Sequence, residues 1–216
     1  MRSTGQARAE LVEARARGIR LILFDVDGVL TDGKLLLHAD GSESKQFDIK
    51  DGTAIVWAQR CGLTVGLLSA RASASTTHRA AQLGIALVHQ GVASKLETFE
   101  RILEEQEIDA EQVAYMGDDV LDLPVLSRAG LAAAPSDAAD EVRARVHWVS
   151  RARGGDGAAR DLVERILRAQ NKWDELLASY LDEGATDRAN VGPAKPGLRT
   201  ETPAKAGRHA LGDKRA

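Results

Sequence analysis

Along the 216-residue chain, short and uninterrupted apolar runs alternate with longer segments of helical spacing. The short runs are IRLILF, LTVGLL, ALV, VAYM, LAAA and HWV. A strand with one wet face alternates apolar and polar side chains. A run that is apolar throughout is buried on both faces, as in a parallel sheet covered by helices. Between the runs lie TAIVWAQRCG, ASASTTHRAAQLG, SKLETFERILEEQE, VLDLPVLSRAG and DAADEVRARV, each predicted as a helix. Gly62, Gly84 and Gly130 close three of them, where a glycine lets the chain leave the helix. Strand followed by helix, repeated, predicts an α/β fold: a doubly wound, Rossmann-like, mostly parallel sheet flanked by helices.

One interval breaks this rhythm. KLLLHADGSESKQFDIK carries two alternating runs about Asp40-Gly41, which predicts a β-hairpin inserted after the first strand. The start, residues 1–18, reads as a polar helical extension rich in Ala and Arg. Residues 19–182 form the domain and end in a Gly-rich loop with one or two helices. Residues 183–216 lose apolar periodicity and are predicted to be a disordered tail.

Composition narrows the function classes. The chain is 44% apolar but only 4% aromatic, so the core is predicted to be aliphatic. A net charge of -3 argues against a nucleic-acid partner, which a basic balance would favour. No apolar run approaches the ~18 residues of a membrane span, and the start has no hydrophobic signal core. Cys61 is the one cysteine, consistent with a reducing, cytoplasmic location, and reads as a small buried filler in a helix.

The candidate chemistry lies at strand ends, where doubly wound sheets bind ligands. In LILFDVDGVLTDG, Asp25 and Asp27 follow the first strand and Gly28 lets the chain turn. In VAYMGDDVLDLP, Asp118, Asp119 and Asp122 follow a later strand. One of these acids serves as a helix cap, but a cap needs only one. Two converging acidic loops repel each other unless a cation compensates, and Mg²⁺, a hard ion that takes oxygen ligands, suits the set. Ser69 ends the run LTVGLL and Lys95 opens the next helix. Alone, Ser69 reads as a cap and Lys95 as a solvated charge. With the acids they make a phosphate site with a nucleophilic carboxylate.

This order of motifs resembles the haloacid dehalogenase superfamily of phosphohydrolases over about residues 19–150. The resemblance implies that Asp25 is the nucleophile and Asp27 the general acid/base, with Ser69 and Lys95 holding the phosphoryl group. It further implies that Asp25, Asp118 and the backbone carbonyl of Asp27 ligate Mg²⁺, with Asp119 and Asp122 orienting the ligands. About 40 residues separate Asp27 from Ser69 and about 25 separate Ser69 from Lys95, too few for a cap domain. Within the capless branch, DVDGVLTDGK, FDIKDG, HQGVASKL, GGDGAARD and AQNKW look like the 3-deoxy-D-manno-octulosonate 8-phosphate phosphatase family. That likeness implies a homotetramer acting on a small sugar phosphate in lipopolysaccharide precursor synthesis. It implies Arg71 and Arg79 as ligands of the substrate carboxylate, and a loop at 154–157 lying over a site.

Two departures from the family pattern bear on the substrate. Ser69-Ala70-Arg71 replaces Thr-Gly-Arg, which keeps the hydroxyl. Asp156 stands where a basic residue is usual, an unfavourable charge beside an anion. The alternative substrate is a nonulosonate 9-phosphate such as that of N-acetylneuraminate. A phospho-accepting receiver module and a scaffold with a structural metal are the readings from other classes. Asp27, placed where a hydrolase needs an acid/base, argues against the receiver.

Overall fold

The computed structural model describes residues 4–182, so the tail predicted over 183–216 lies outside the described residues. Residues up to Ser179 form one compact unit. Tyr180–Asp182, the described part of a second unit, complete a helix. At the centre is a six-stranded sheet of β1 (Leu21–Phe24), β4 (Thr64–Ser69), β5 (Leu87–Gln90), β6 (Val113–Met116), β7 (Leu131–Ala134) and β8 (Trp148–Val149). Its order is β5-β4-β1-β6-β7-β8 and every pairing is parallel. β1 occupies the middle, paired with β4 on one side and β6 on the other. The carboxyl ends of β1, β4 and β6 therefore emerge side by side, and each carries a sequence-predicted site residue just beyond or at its end.

The inner strands β1, β6 and β7 are buried throughout, as their apolar runs predict, whereas β5 and β8 lie at the sheet edges and are only half-buried. Along β1, Ile22 and Phe24 face one core while Leu21 and Leu23 face the other, and all four are buried. The first core packs the sheet against α1 (Thr4–Arg17), α2 (Ile49–Arg60), α7 (Ala158–Ala169) and α8 (Trp173–Asp182). The second packs it against α4 (Lys95–Gln106), α5 (Leu123–Leu126) and α6 (Asp140–Arg143). α1, expected as an extension, sends Val12 and Ala16 into the first core. α3 (Ala74–Gln82) adds Ala80 to the same layer.

Three expectations need correction. VLDLPVLSRAG and DAADEVRARV are not long helices: only Leu123–Leu126 and Asp140–Arg143 are α-helical. Asp122 and Pro124 act at the start of the first, and Val120–Asp122 form a 3₁₀ turn shaped by the acidic loop. Cys61 is the C-cap of α2 and half-buried, not a filler inside the helix. The hairpin exists, but its arms β2 (Leu36–Leu37) and β3 (Glu43–Ser44) are two residues each. The Asp40 side chain closes its turn by accepting from the Ser42 N–H and hydroxyl.

Candidate active site

Asp25 is the first residue beyond β1, and its N–H continues the ladder by donating to the Met116 carbonyl at 3.0 Å. That bond fixes the backbone, so the carboxylate points out over the sheet edge while staying 7% exposed. Lys95, the first residue of α4, places Nζ 3.1 Å from Asp25 Oδ1 and 2.6 Å from Asp122 Oδ1. It is buried, not the solvated charge that its position alone would give. Burial acts to lower the lysine pKa, but Asp25 and Asp122 outweigh it and hold the group protonated.

Asp122 is completely enclosed and every oxygen is committed. Oδ1 accepts from Lys95 and, at 2.5 Å, from the buried Tyr115 hydroxyl; Oδ2 accepts from the N–H groups of Asp118 and Asp119. This carboxylate is thus a bracket that shapes the second acidic loop. Asp119 is the acid that serves as a cap, accepting from the Val120 N–H at 2.6 Å.

Oxygens of Asp25, Asp118 and Asp122 lie within 4.8 Å of one another. Since Asp122 is saturated by hydrogen bonds, Asp25 and Asp118 are the carboxylates with free coordination capacity. Their charges are poorly compensated by the protein alone. Burial, then the Asp122 charge, raises the Asp25 pKa to about 6 against the pull of Lys95. Burial, then Asp25 and Asp122, raises that of Asp118 to about 8. Two crowded, half-dry oxygen donors fit a hard divalent cation, which removes both causes at once.

Gly28 explains its place in the motif twice over. Its φ of +88° is the left-handed region, and a Cβ there would sit 2.0 Å from Asp118 Oδ2. The first acidic loop must therefore end in glycine for the second to lean on it. Ser69, 2% exposed at the end of β4, accepts at Oγ from the Arg71 N–H. A cavity of about 260 Å³ opens between these groups, lined among others by Asp25, Asp27, Ser69, Arg71, Lys95 and Asp118.

Asp27 is held differently from Asp25. Lys45 Nζ, from the hairpin, lies 2.7 Å from its Oδ1 and donates to Oδ2 at 2.9 Å. Arg71 Nε is 3.6 Å from Oδ2, and its NH2 donates to Glu43 Oε2 at 2.9 Å. Glu43 and Lys45 were missed in the sequence. The available signal was their i, i+2 spacing, with Glu43 on the second arm of the hairpin and Lys45 just beyond it, which puts both on one face of an extended chain. Arg79 is not brought to this cavity: its guanidinium donates to the Asp48 carbonyl and to Gln82, against the open face of Gly52. Of the two arginines expected as ligands of a substrate carboxylate, only Arg71 lines the cavity of its own chain.

The loop at 154–157 does not line the cavity of its own chain. Gly155 N–H donates to the Val29 carbonyl at 2.9 Å, and a Cβ on Gly154 would meet the Gly28 carbonyl oxygen at 1.9 Å. The loop buttresses the back of the Asp25–Gly33 turn of its own chain. Asp156 is exposed and does not line the cavity, so its charge faces no bound anion there.

Residues 71–162 match the haloacid dehalogenase-like hydrolase family. The 3-deoxy-D-manno-octulosonate 8-phosphate phosphatase KdsC of Escherichia coli K12 is 39% identical over 171 residues, 79% of this chain and 90% of that protein. The Moraxella catarrhalis phosphatase of that name, solved with magnesium, phosphate and KDO, is 32% identical with a TM-score of 0.77. The match covers 78% of this chain and 97% of that one. The cobalt-bound Haemophilus influenzae phosphatase is 36% identical with a TM-score of 0.74, over 77% of this chain and 99% of that one.

Proposed function

The chain belongs to the 3-deoxy-D-manno-octulosonate 8-phosphate phosphatase family of haloacid dehalogenase-like hydrolases, and we propose that it hydrolyses that sugar phosphate through an aspartyl-phosphate on Asp25. The observation that carries the reading is the contrast between the two acids of the DVD motif. Asp25 sits beside Lys95 and Asp118, where a phosphoryl group is neutralised; Asp27 sits beside Lys45 and Arg71, outside the metal-ligand pair. Two carboxylates with separate partners can hold separate roles.

Asp25 attacks phosphorus as the bond to the sugar oxygen breaks, and Asp27 delivers a proton to that oxygen. Lys95 and the Ser69 hydroxyl hold phosphoryl oxygens. Asp27 then takes a proton from water, whose oxygen attacks the same phosphorus, releasing inorganic phosphate and restoring Asp25. Asp25, Asp118 and the Asp27 carbonyl would hold Mg²⁺, which when bound offsets the charge of the phosphate that a carboxylate must approach. Arg71 lies at the mouth, where its fork suits the carboxylate of the sugar acid.

The hairpin leaves Leu36 and Leu37 62% and 69% exposed, which supports the homotetramer expected from the sequence: copies would cover these side chains. No helix among the described residues is long and apolar enough to cross a membrane. With the single cysteine, this supports a cytoplasmic enzyme that supplies the sugar acid to lipopolysaccharide synthesis.

The test is phosphate release from 3-deoxy-D-manno-octulosonate 8-phosphate and N-acetylneuraminate 9-phosphate, with and without Mg²⁺. Mg²⁺-dependent preference for the octulosonate is expected. Equal rates, or preference for the nonulosonate, would overturn the substrate assignment. Asp27→Asn is expected to lose turnover by at least about 1000-fold while the fold persists.

A further inference from the structure

The hairpin reaches into the active site with a balanced set of charges. It contributes Glu43 and Lys45; the strand ends contribute Asp27 and Arg71. The two cations on Asp27 differ in kind. The Lys45 side chain is 0% exposed and contacts both carboxylate oxygens at 2.7 and 2.9 Å. Arg71 is 52% exposed, touches Asp27 at only 3.6 Å, and is held at its far end by Glu43. An exposed arginine with a long contact moves at small cost. A buried ammonium clasped between two oxygens does not, because leaving its partner would strand a charge away from water.

On the reading of Asp27 as acid/base, we propose that Lys45 is the residue that positions Asp27 for proton transfer, and that this hold frees Arg71 to leave Asp27 for the carboxylate of the substrate. Lys45 approaches from the protein side, and the Asp27 side chain keeps 20% exposure and lines the cavity. The Asp27 side chain must be held in one rotamer, within hydrogen-bond reach of the leaving oxygen to serve as an acid in its carboxyl form and of water to serve as a base in its carboxylate form. No residue of the strand ends gives Asp27 a close partner; the hairpin does. The insertion thus performs in one chain, with one side chain, part of what a cap domain would do by closing over the site.

The test uses the full-length chain with saturating Mg²⁺ and two substrates, the octulosonate 8-phosphate and p-nitrophenyl phosphate. Lys45→Met is expected to lower kcat about 100-fold on both, with KM changed less than about threefold. Lys45→Arg, which keeps the charge and donor, is expected to recover at least about tenfold of that loss. In the Asp27→Asn background, adding Lys45→Met is expected to change the residual rate by less than about twofold, since a residue acting only through Asp27 has nothing left to position.

An unchanged kcat in Lys45→Met overturns the proposal. So does a further large loss in the double variant, which would mark a role independent of Asp27. Circular dichroism checks folding, and Lys45→Gln replaces the methionine variant in the same cycle if that variant unfolds. A wild type that hydrolyses p-nitrophenyl phosphate but not the octulosonate would sink the substrate assignment alone. The cycle on p-nitrophenyl phosphate would still decide the role of Lys45.

Discussion

Asp118 and Gly28 are a pair that neither loop explains alone. Asp118 leans on the bare α-carbon of Gly28, and Gly28→Ala would drive a methyl group into the Asp118 carboxylate at a φ that alanine resists. The variant is expected to lose at least about tenfold in Mg²⁺ affinity, read by calorimetry, and turnover with it. The raised pKa values predict a pH dependence as well. Asp25 and Asp118 titrate at about 6 and about 8 in the metal-free fold, above the 3.8 of an unperturbed aspartate. The folded state therefore binds more protons than the unfolded one between these limits, so metal-free stability falls as pH rises from about 4 to about 8. Metal must displace those protons, so Mg²⁺ affinity rises over the upper part of the same window, by up to about tenfold per pH unit for one proton released. Melting in EDTA and in Mg²⁺ at pH 5 to 8 checks both: the melting temperature in EDTA should fall with pH while the gain from Mg²⁺ grows. A gain that is flat with pH would contradict the assignment of these two acids.

The elements around the site are tied by a carboxylate with no part in the chemistry. Asp51, on the first turn of α2 and 2% exposed, accepts from the N–H groups of Gly157 and Arg160 at 3.2 and 2.8 Å. It caps α7 from another helix, and burial raises its pKa to about 6. Asp51→Ala leaves two N–H groups at a helix start without an acceptor and is expected to cost about 2 kcal/mol, measured by urea unfolding. Asp51→Asn, which keeps one acceptor and removes the buried charge, is expected to lie nearer wild type at neutral pH. Because α7 begins where the loop at 154–157 braces the Asp25–Gly33 turn, the alanine variant should also lower kcat. At this level the sequence was partly legible. The helical spacing of α2, α4 and α7 and the unbroken apolar strands followed from burial on a repeating geometry. The segments after β6 and β7 did not, because Asp122 and the acidic loop impose a local geometry that overrides apolar spacing.

In the whole molecule, Leu36 and Leu37, adjacent on the hairpin, are among the large apolar side chains that the described residues of a single chain leave exposed. Replacing both with lysine is expected to shift the mass in light scattering from a tetramer toward a monomer. A wild type that is already monomeric would remove the assembly proposed here. The same hairpin marks the line between sequence and tertiary structure. The chain alone determined the α/β class, the order of strands and helices, the insertion after the first strand and the acids at strand ends. Each of these is a local pattern, set by periodicity, turn chemistry or unusual charge density. Tertiary structure decided which charges meet. It gave Lys45 to Asp27, Tyr115 and Lys95 to Asp122, and the loop at 154–157 to the back of the Asp25–Gly33 turn, and it left Arg79 outside the cavity. Those partners lie 18 residues or more away along the chain, apart from the seven between Tyr115 and Asp122. Their meeting depends on the parallel order of the sheet and on which face each arm presents, which no local pattern specifies.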